Sequence, residues 1–348
     1  MEGKNVGVIG GGAWGTGIAQ AIARGNNKVS IWALEDEVVE SINNEHENKK
    51  FLPGYKLEES ITCSSDIVEV ASNKEFLIIA SPSLFLAKTM EKIKNVPGVA
   101  DGTTIIASVT KGFVPSENGP KLILETMESV LPEFYKDCTV YVAGPSHAEE
   151  VAMGKLTGLV AASLNPKNSI KVRELLRVPG LLVFSSFDVV GVQICAAAKN
   201  VVAAVYGAMD ALAEKSDYIG DNTESLLLAA GLNEIQTLGF AMGATHAETF
   251  TSISGVGDLD VTCKSKYGRN RRFGQDIIKT DMLSKFKDID DLIANVGKIG
   301  YLPEGAIACK YVHEIAQKKD IKLPICDALY KILNKEQTVE EILNTLIR

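Results

Sequence analysis

Lys199 stands in the run Cys195–Met209, CAAAKNVVAAVYGAM, which has the composition of a core helix. Three, four and seven positions away on a helix lie Cys195, Ala196, Val192, Val202, Ala203 and Tyr206, all apolar. The nearest charged residues, Asp188 and Asp210, are each roughly 16 Å along a helix axis, so the helix itself supplies the ammonium with no partner. A lysine can snorkel to water along its stem, but neighbours this small and apolar point to a deep position. Desolvation there disfavours the charged form, which makes such a lysine a ready acid/base.

Other groups could serve the same chemistry. Asp258 follows SISGVG, where Gly255 and Gly257 bracket a bend; a Gly-Asp step is equally an ordinary N-cap. Gly268-Arg269-Asn270 reads as a turn into a helix, and a helix N-terminus carrying an arginine suits a phosphate or another small anion, although a solvated basic turn has the same composition. Lys111 directly follows an apolar run, TTIIASVTKGF, which places its head at the carboxyl edge of a sheet, as a solvated loop lysine also would be. Gly144-Pro145-Ser146-His147 follows a second such run.

These groups need elements to position them. Residues 4–10 form a strand and 13–24 a helix with apolar periodicity, separated by Gly10-Gly11-Gly12-Ala13-Trp14-Gly15. In that context the G-x-G-x-x-G pattern predicts a dinucleotide site: Gly10 for the tight turn, Gly12 for close approach of the pyrophosphate, Gly15 for helix–strand packing. A second strand, Lys28–Trp32, is followed by Leu34-Glu35-Asp36 with no basic residue, which tilts the cofactor toward NAD over NADP. Near-continuous apolar runs at 76–83, 103–113, 139–152 and 158–163 are those of buried parallel strands. Beyond Asp188 helical patterns replace strands. The expected architecture is an α/β dinucleotide-binding domain with a mostly parallel sheet over 1–188, then an all-α substrate and catalytic domain over 189–348.

Bulk properties narrow the class. A chain of 348 residues with 46% hydrophobic and 23% charged residues is an ordinary globular protein of two domains. A net charge of −8 argues against nucleic-acid binding and requires any anionic ligand to find a locally positive site. Six scattered cysteines without a CxxC pair fit reduced thiols, and four isolated histidines show no metal-ligand spacing, so no bound metal is expected. With no signal peptide or membrane span legible, the expected location is cytoplasmic, with no membrane partner.

The sequence resembles the NAD(P)-dependent glycerol-3-phosphate dehydrogenases. The resemblance is carried, in order along nearly the whole chain, by GGGAWG, INNEHENKKFLPGYKL, TKG, AGPSHAEEVA, AAAKNVVA, GVGDLDVTC, GRNRRFG and the PEG at 303–305. It implies an N-terminal Rossmann domain, an all-helical C-terminal domain and an active site between them. By that resemblance Lys199 is the proton acceptor from the C2 hydroxyl of sn-glycerol 3-phosphate, Lys111 and Asp258 surround the reacting end, and Arg269 and Asn270 hold the phosphate. Gly144 and Ser146 match substrate-loop positions, while Ala13, Trp14, Ala148, Glu304 and, in part, Lys111 and Arg269 match positions near the dinucleotide. Leu34 departs from the Arg or His of many bacterial members, which disfavours strong use of NADP. Fold-level analogy adds a homodimer.

Overall fold

The computed structural model describes residues 3–265 and 267–347. The chain divides into two compact units, Met1–Pro115 with Lys121–Gln193 and Ser116–Pro120 with Ile194–Arg348. The division falls after the fifth residue of the helix Val189–Ala213. Gln193, the last helical residue of the first unit, accepts from the Leu124 N–H at 2.9 Å through its side-chain oxygen.

The first unit holds strands β1 (Asn5–Ile9), β2 (Lys28–Trp32), β3 (Glu47–Asn48), β4 (Leu52–Lys56), β5 (Ile61–Ser64), β6 (Phe76–Ile79), β7 (Ile105–Ser108), β8 (Val140–Ala143), β9 (Thr157–Ala162) and β10 (Leu181–Ser186). Eight of them form one sheet in the order β10-β9-β8-β7-β6-β1-β2-β5, while β3 and β4 make a separate antiparallel ribbon. All sheet pairings are parallel except β8 with β9. The all-apolar strands β6 and β8 are buried along their whole length, as a sheet covered on both faces demands. Because β1 pairs with β2 on one side and β6 on the other, the order reverses beside β1, and the crevice outside its carboxyl end is where such sheets bind ligands.

The second unit is helical, as expected. Its long helix Val189–Ala213 has the length and apolarity of a membrane span, yet 83% of that apolar window is buried within the protein. A helix hydrophobic on every side belongs in a core. The shorter helices Asp258–Lys264, Arg269–Lys279 and Glu304–Lys319 carry the polar residues of interest. The Arg269 helix crosses the Lys199 helix at Gly274, where a Cβ would lie 1.8 Å from the Ala204 carbonyl oxygen. No side-chain rotation relieves a clash with backbone. Gly274→Ala is therefore expected to force the two helices apart and destabilise the protein by about 1–3 kcal/mol or more, read as a lowered Tm in thermal unfolding. An unchanged Tm would mean that this crossing is not tight.

Candidate active site

In the first unit the Gly-rich turn has the geometry that its spacing predicts. Gly10 has φ +134° and its N–H donates to the Trp32 carbonyl at 3.1 Å, which ties the end of β1 to the end of β2. A Cβ on Gly15 would sit 1.8 Å from the Gly10 oxygen, so the helix Ala13–Arg24 starts hard against the turn. Gly12, the N-cap of that helix, is different: a Cβ there would meet nothing within 4 Å. Its open face, together with the free N–H groups of the helix start, fits a pyrophosphate. The Trp14 Nε1–H and the Ser81 hydroxyl, at the carboxyl ends of β1 and β6, are buried without a hydrogen-bond partner among the described residues. Buried orphans of this kind call for a polar ligand or water.

Around this turn the residues assigned from sequence assemble in two groups. Ala13 and Trp14 pack with Ala148, Leu52 and Tyr55 in one small cluster. Lys111 reaches across the carboxyl edge of the sheet, its Nζ donating to the Gly144 carbonyl at 3.2 Å, and the Ser146 hydroxyl donates to the same oxygen at 2.8 Å. Asn48 was not singled out from sequence. It is fully buried, and its Nδ2 donates both to the Gly11 carbonyl and to the Thr16 hydroxyl at 2.8 Å, fastening the turn from the β3–β4 ribbon. An asparagine thirty-seven residues from its partner has no local signature.

In the second unit Lys199 is 5% exposed and Asp258 1%. The Lys199 Nζ donates to Asp258 Oδ1 at 2.5 Å and to the Thr262 hydroxyl at 2.8 Å. Thr262 in turn donates to the Asp258 carbonyl at 2.6 Å. The partner missing from the lysine's own helix thus comes from another, and Asp258 is no N-cap: Gly257 precedes the helix and the carboxylate points at the lysine. Thr262 escaped the sequence reading, though four residues beyond Asp258 it shares its helix face. The neighbouring Cys263 thiol is pushed up to about 12 by burial, against the opposing pull of the Lys199 ammonium, and stays protonated.

Arg269 and Asn270 open their helix next to these groups. Asn270 is buried; its Nδ2 donates to Asn200 Oδ1 at 2.9 Å and its Oδ1 accepts from the Gly305 N–H at 2.8 Å. Arg269 is largely exposed and lies 3.7 Å from Glu304. Lys199-Asn200, Asp258, Thr262, Arg269, Asn270 and Glu304 are therefore linked, contact by contact, within one unit. Among the described residues no group of three or more His, Cys, Asp or Glu could hold a metal.

Comparison with known proteins follows the same division. A family model for the NAD-dependent glycerol-3-phosphate dehydrogenase N-terminus matches residues 5–169, and one for the C-terminus matches 188–344. A glycerol-3-phosphate dehydrogenase [NAD(P)+] of Treponema denticola is 56% identical, over 99% of this chain and 98% of that protein. The crystal structure of a glycerol-3-phosphate dehydrogenase from Coxiella burnetii superposes with a TM-score of 0.86 at 28% identity, covering 100% of both chains. A D-mandelate dehydrogenase solved with NADH shares the fold alone, with a TM-score of 0.59 and 14% identity over 97% of this chain and 99% of that one.

The buried pair invites a stability test. Asp258→Ala leaves a buried ammonium without its carboxylate and is expected to cost about 3–5 kcal/mol, whereas Lys199→Met combined with Asp258→Leu recovers most of that loss. Urea unfolding of the wild type and the two variants checks it; a double variant no more stable than Asp258→Ala would count against the pair.

Proposed function

The chain belongs to the NAD-dependent glycerol-3-phosphate dehydrogenase family, and we propose that in interconverting dihydroxyacetone phosphate and sn-glycerol 3-phosphate it uses Lys199 as the acid/base. The observation that carries this role is the buried Lys199 held by Asp258 and Thr262 on the helix whose Asn200 anchors the start of the Arg269 helix. When bound, the nicotinamide dinucleotide supplies or accepts the hydride.

The remaining chemistry falls to the protein. Reduction of the ketone needs a proton at the C2 oxygen, and Lys199 donates it; in the opposite direction Lys199 takes the proton of the C2 hydroxyl. Asp258 and Thr262 fix the amine so that it need not reorient during the step. Arg269, exposed at the helix start, and Asn270 bind the phosphate far from the reacting carbon, and that binding serves alignment. Lys111, Gly144 and Ser146 form the polar loop group offered to the reacting end. Gly10, Gly12, Ala13, Trp14, Gly15 and Ala148, with Lys111, Arg269 and Glu304, would hold the dinucleotide. Exposed Leu34 and the acidic Glu35 after β2 favour NADH over NADPH.

The same reading makes the protein a cytoplasmic enzyme of phospholipid-precursor metabolism and, by analogy of fold, a homodimer, which light scattering reads directly.

Loss of nicotinamide absorbance on adding dihydroxyacetone phosphate tests the reaction. Rapid oxidation is expected, faster with NADH. Binding of both dinucleotides without any turnover would instead favour a nicotinamide sensor. For the roles, Lys199→Ala is expected to lower kcat by about 10²–10⁴-fold with the affinity for dinucleotide kept. Arg269→Ala is expected to raise KM for the phosphorylated substrate roughly 10- to 100-fold. Small and equal effects from both substitutions would overturn these assignments.

A further inference from the structure

The end of β2 carries an ion cluster that the proposed roles leave unused. Gly10 ties the Gly-rich turn to Trp32, so Ala33, Leu34 and Glu35 leave the sheet beside that turn. Glu35 lies twenty residues beyond Gly15, the spacing at which an acidic side chain meets the adenosine ribose in dinucleotide-binding folds. It occupies the N-cap of the helix Asp36–Glu45, but its side chain makes no capping hydrogen bond. Its carboxylate faces Lys50 instead, with Nζ at 3.8 Å.

Lys50 is brought there from the β3–β4 ribbon. Two residues earlier, buried Asn48 is bonded to the carbonyl of Gly11 in the turn itself. The Lys50 ammonium lies 5.3 Å over the Phe51 ring and forms its closest ion pair with Glu37 Oε1, at 2.5 Å. Two carboxylates therefore share one ammonium at the edge where a ribose 2′-substituent would project. The cluster carries a net charge of −1, from Glu35, Glu37 and Lys50 together.

We propose that Glu35, Lys50 and Glu37 set the choice between NADH and NADPH, with Lys50 a latent 2′-phosphate ligand that Glu37 keeps neutralised. This rests on the reading of the Gly-rich turn as the dinucleotide site. A 2′-hydroxyl can donate to Glu35, whereas a 2′-phosphate brings two negative charges to a site already negative. Removing the Glu37 charge brings the cluster from −1 to neutral: Lys50 faces one carboxylate, 3.8 Å away, instead of two, and its ammonium is available to the phosphate.

Direct binding tests this without turnover. NADH and NADPH are titrated by their fluorescence against wild type, Glu37→Gln, and Glu37→Gln with Lys50→Ala, at low and at physiological ionic strength. Glu37 and Lys50 are exposed, so these variants are expected to fold, which circular dichroism verifies. Glu37→Gln is expected to tighten NADPH binding about three- to tenfold at low salt, to leave NADH within twofold, and to lose much of that gain as salt screens the pair. Adding Lys50→Ala is expected to abolish the gain. An unchanged NADPH affinity in Glu37→Gln, an equal tightening of NADH, or a gain that survives Lys50→Ala would overturn the inference while leaving the dinucleotide site intact. Failure of the wild type to bind either dinucleotide would overturn the site reading itself, and the inference with it.

Discussion

The buried contact between Lys199 and Asp258 is a strict constraint on the second unit. An ammonium 5% exposed in an apolar core is tolerated only with a carboxylate and further hydrogen bonds in good geometry. Asp258 and Thr262 supply both from one face of a seven-residue helix. That helix cannot drift without stranding a charge. Its approach is set by the preceding segment Ile253–Gly257, whose π-helical winding delivers Asp258 directly into the helix start. The polar centre is thus expensive to bury and correspondingly exact in position. The proposed role of Lys199 gains from that, since with two N–H bonds held by Asp258 and Thr262 the third points in a fixed direction.

A second anchoring runs through Asn200 and Asn270. One side chain bridges three helices: Asn270 bonds Asn200 on the Lys199 helix and the Gly305 N–H at the start of the Glu304 helix. Together with the close crossing at Gly274, it fixes where the Arg269 helix begins relative to Lys199. The distance between Lys199 and the start of the Arg269 helix is therefore a property of helix packing. A loop would not hold it as firmly. In the first unit Asn48 has the same office, holding the Gly-rich turn from a ribbon outside the main sheet.

What could be read from sequence follows from these distinctions. The turn Gly10–Gly15 was legible because Gly10 and Gly15 answer local backbone demands, and Lys199 because a charge amid small apolar neighbours breaks a local rule. The buried strands β6, β7, β8 and β9 announced themselves as apolar runs. The outer strands did not: β5 alternates buried and exposed residues, and β10 leaves Leu182 and Phe184 half exposed at the sheet edge, so neither forms a continuous apolar signal. Asn48, Asn200 and Thr262 were illegible for another reason. Each makes at least one contact with a partner distant in sequence, and a neutral polar residue carries no local conflict to betray it.

The charge of the chain bears on the proposed phosphate role of Arg269. A protein of net charge −8 must concentrate positive potential to hold a phosphate. The Arg269 helix carries three arginines, but they are not equivalent. Arg271 is engaged by Asp210 at 2.9 Å and by the Lys264 carbonyl at 2.8 Å. Arg272 lies over the Tyr301 ring at 5.1 Å and 3.7 Å from Asp276. Arg269 stands at the first helical position, where unsatisfied N–H groups and the positive end of the helix dipole add to its charge. Its carboxylate neighbour Glu304 is 3.7 Å away, too long for a hydrogen bond, so a phosphate can take the guanidinium without breaking one. Arg271 holds the helix in place while Arg269 stays largely exposed, which supports the proposed phosphate role for the first arginine of the GRNRRFG motif and not for the second.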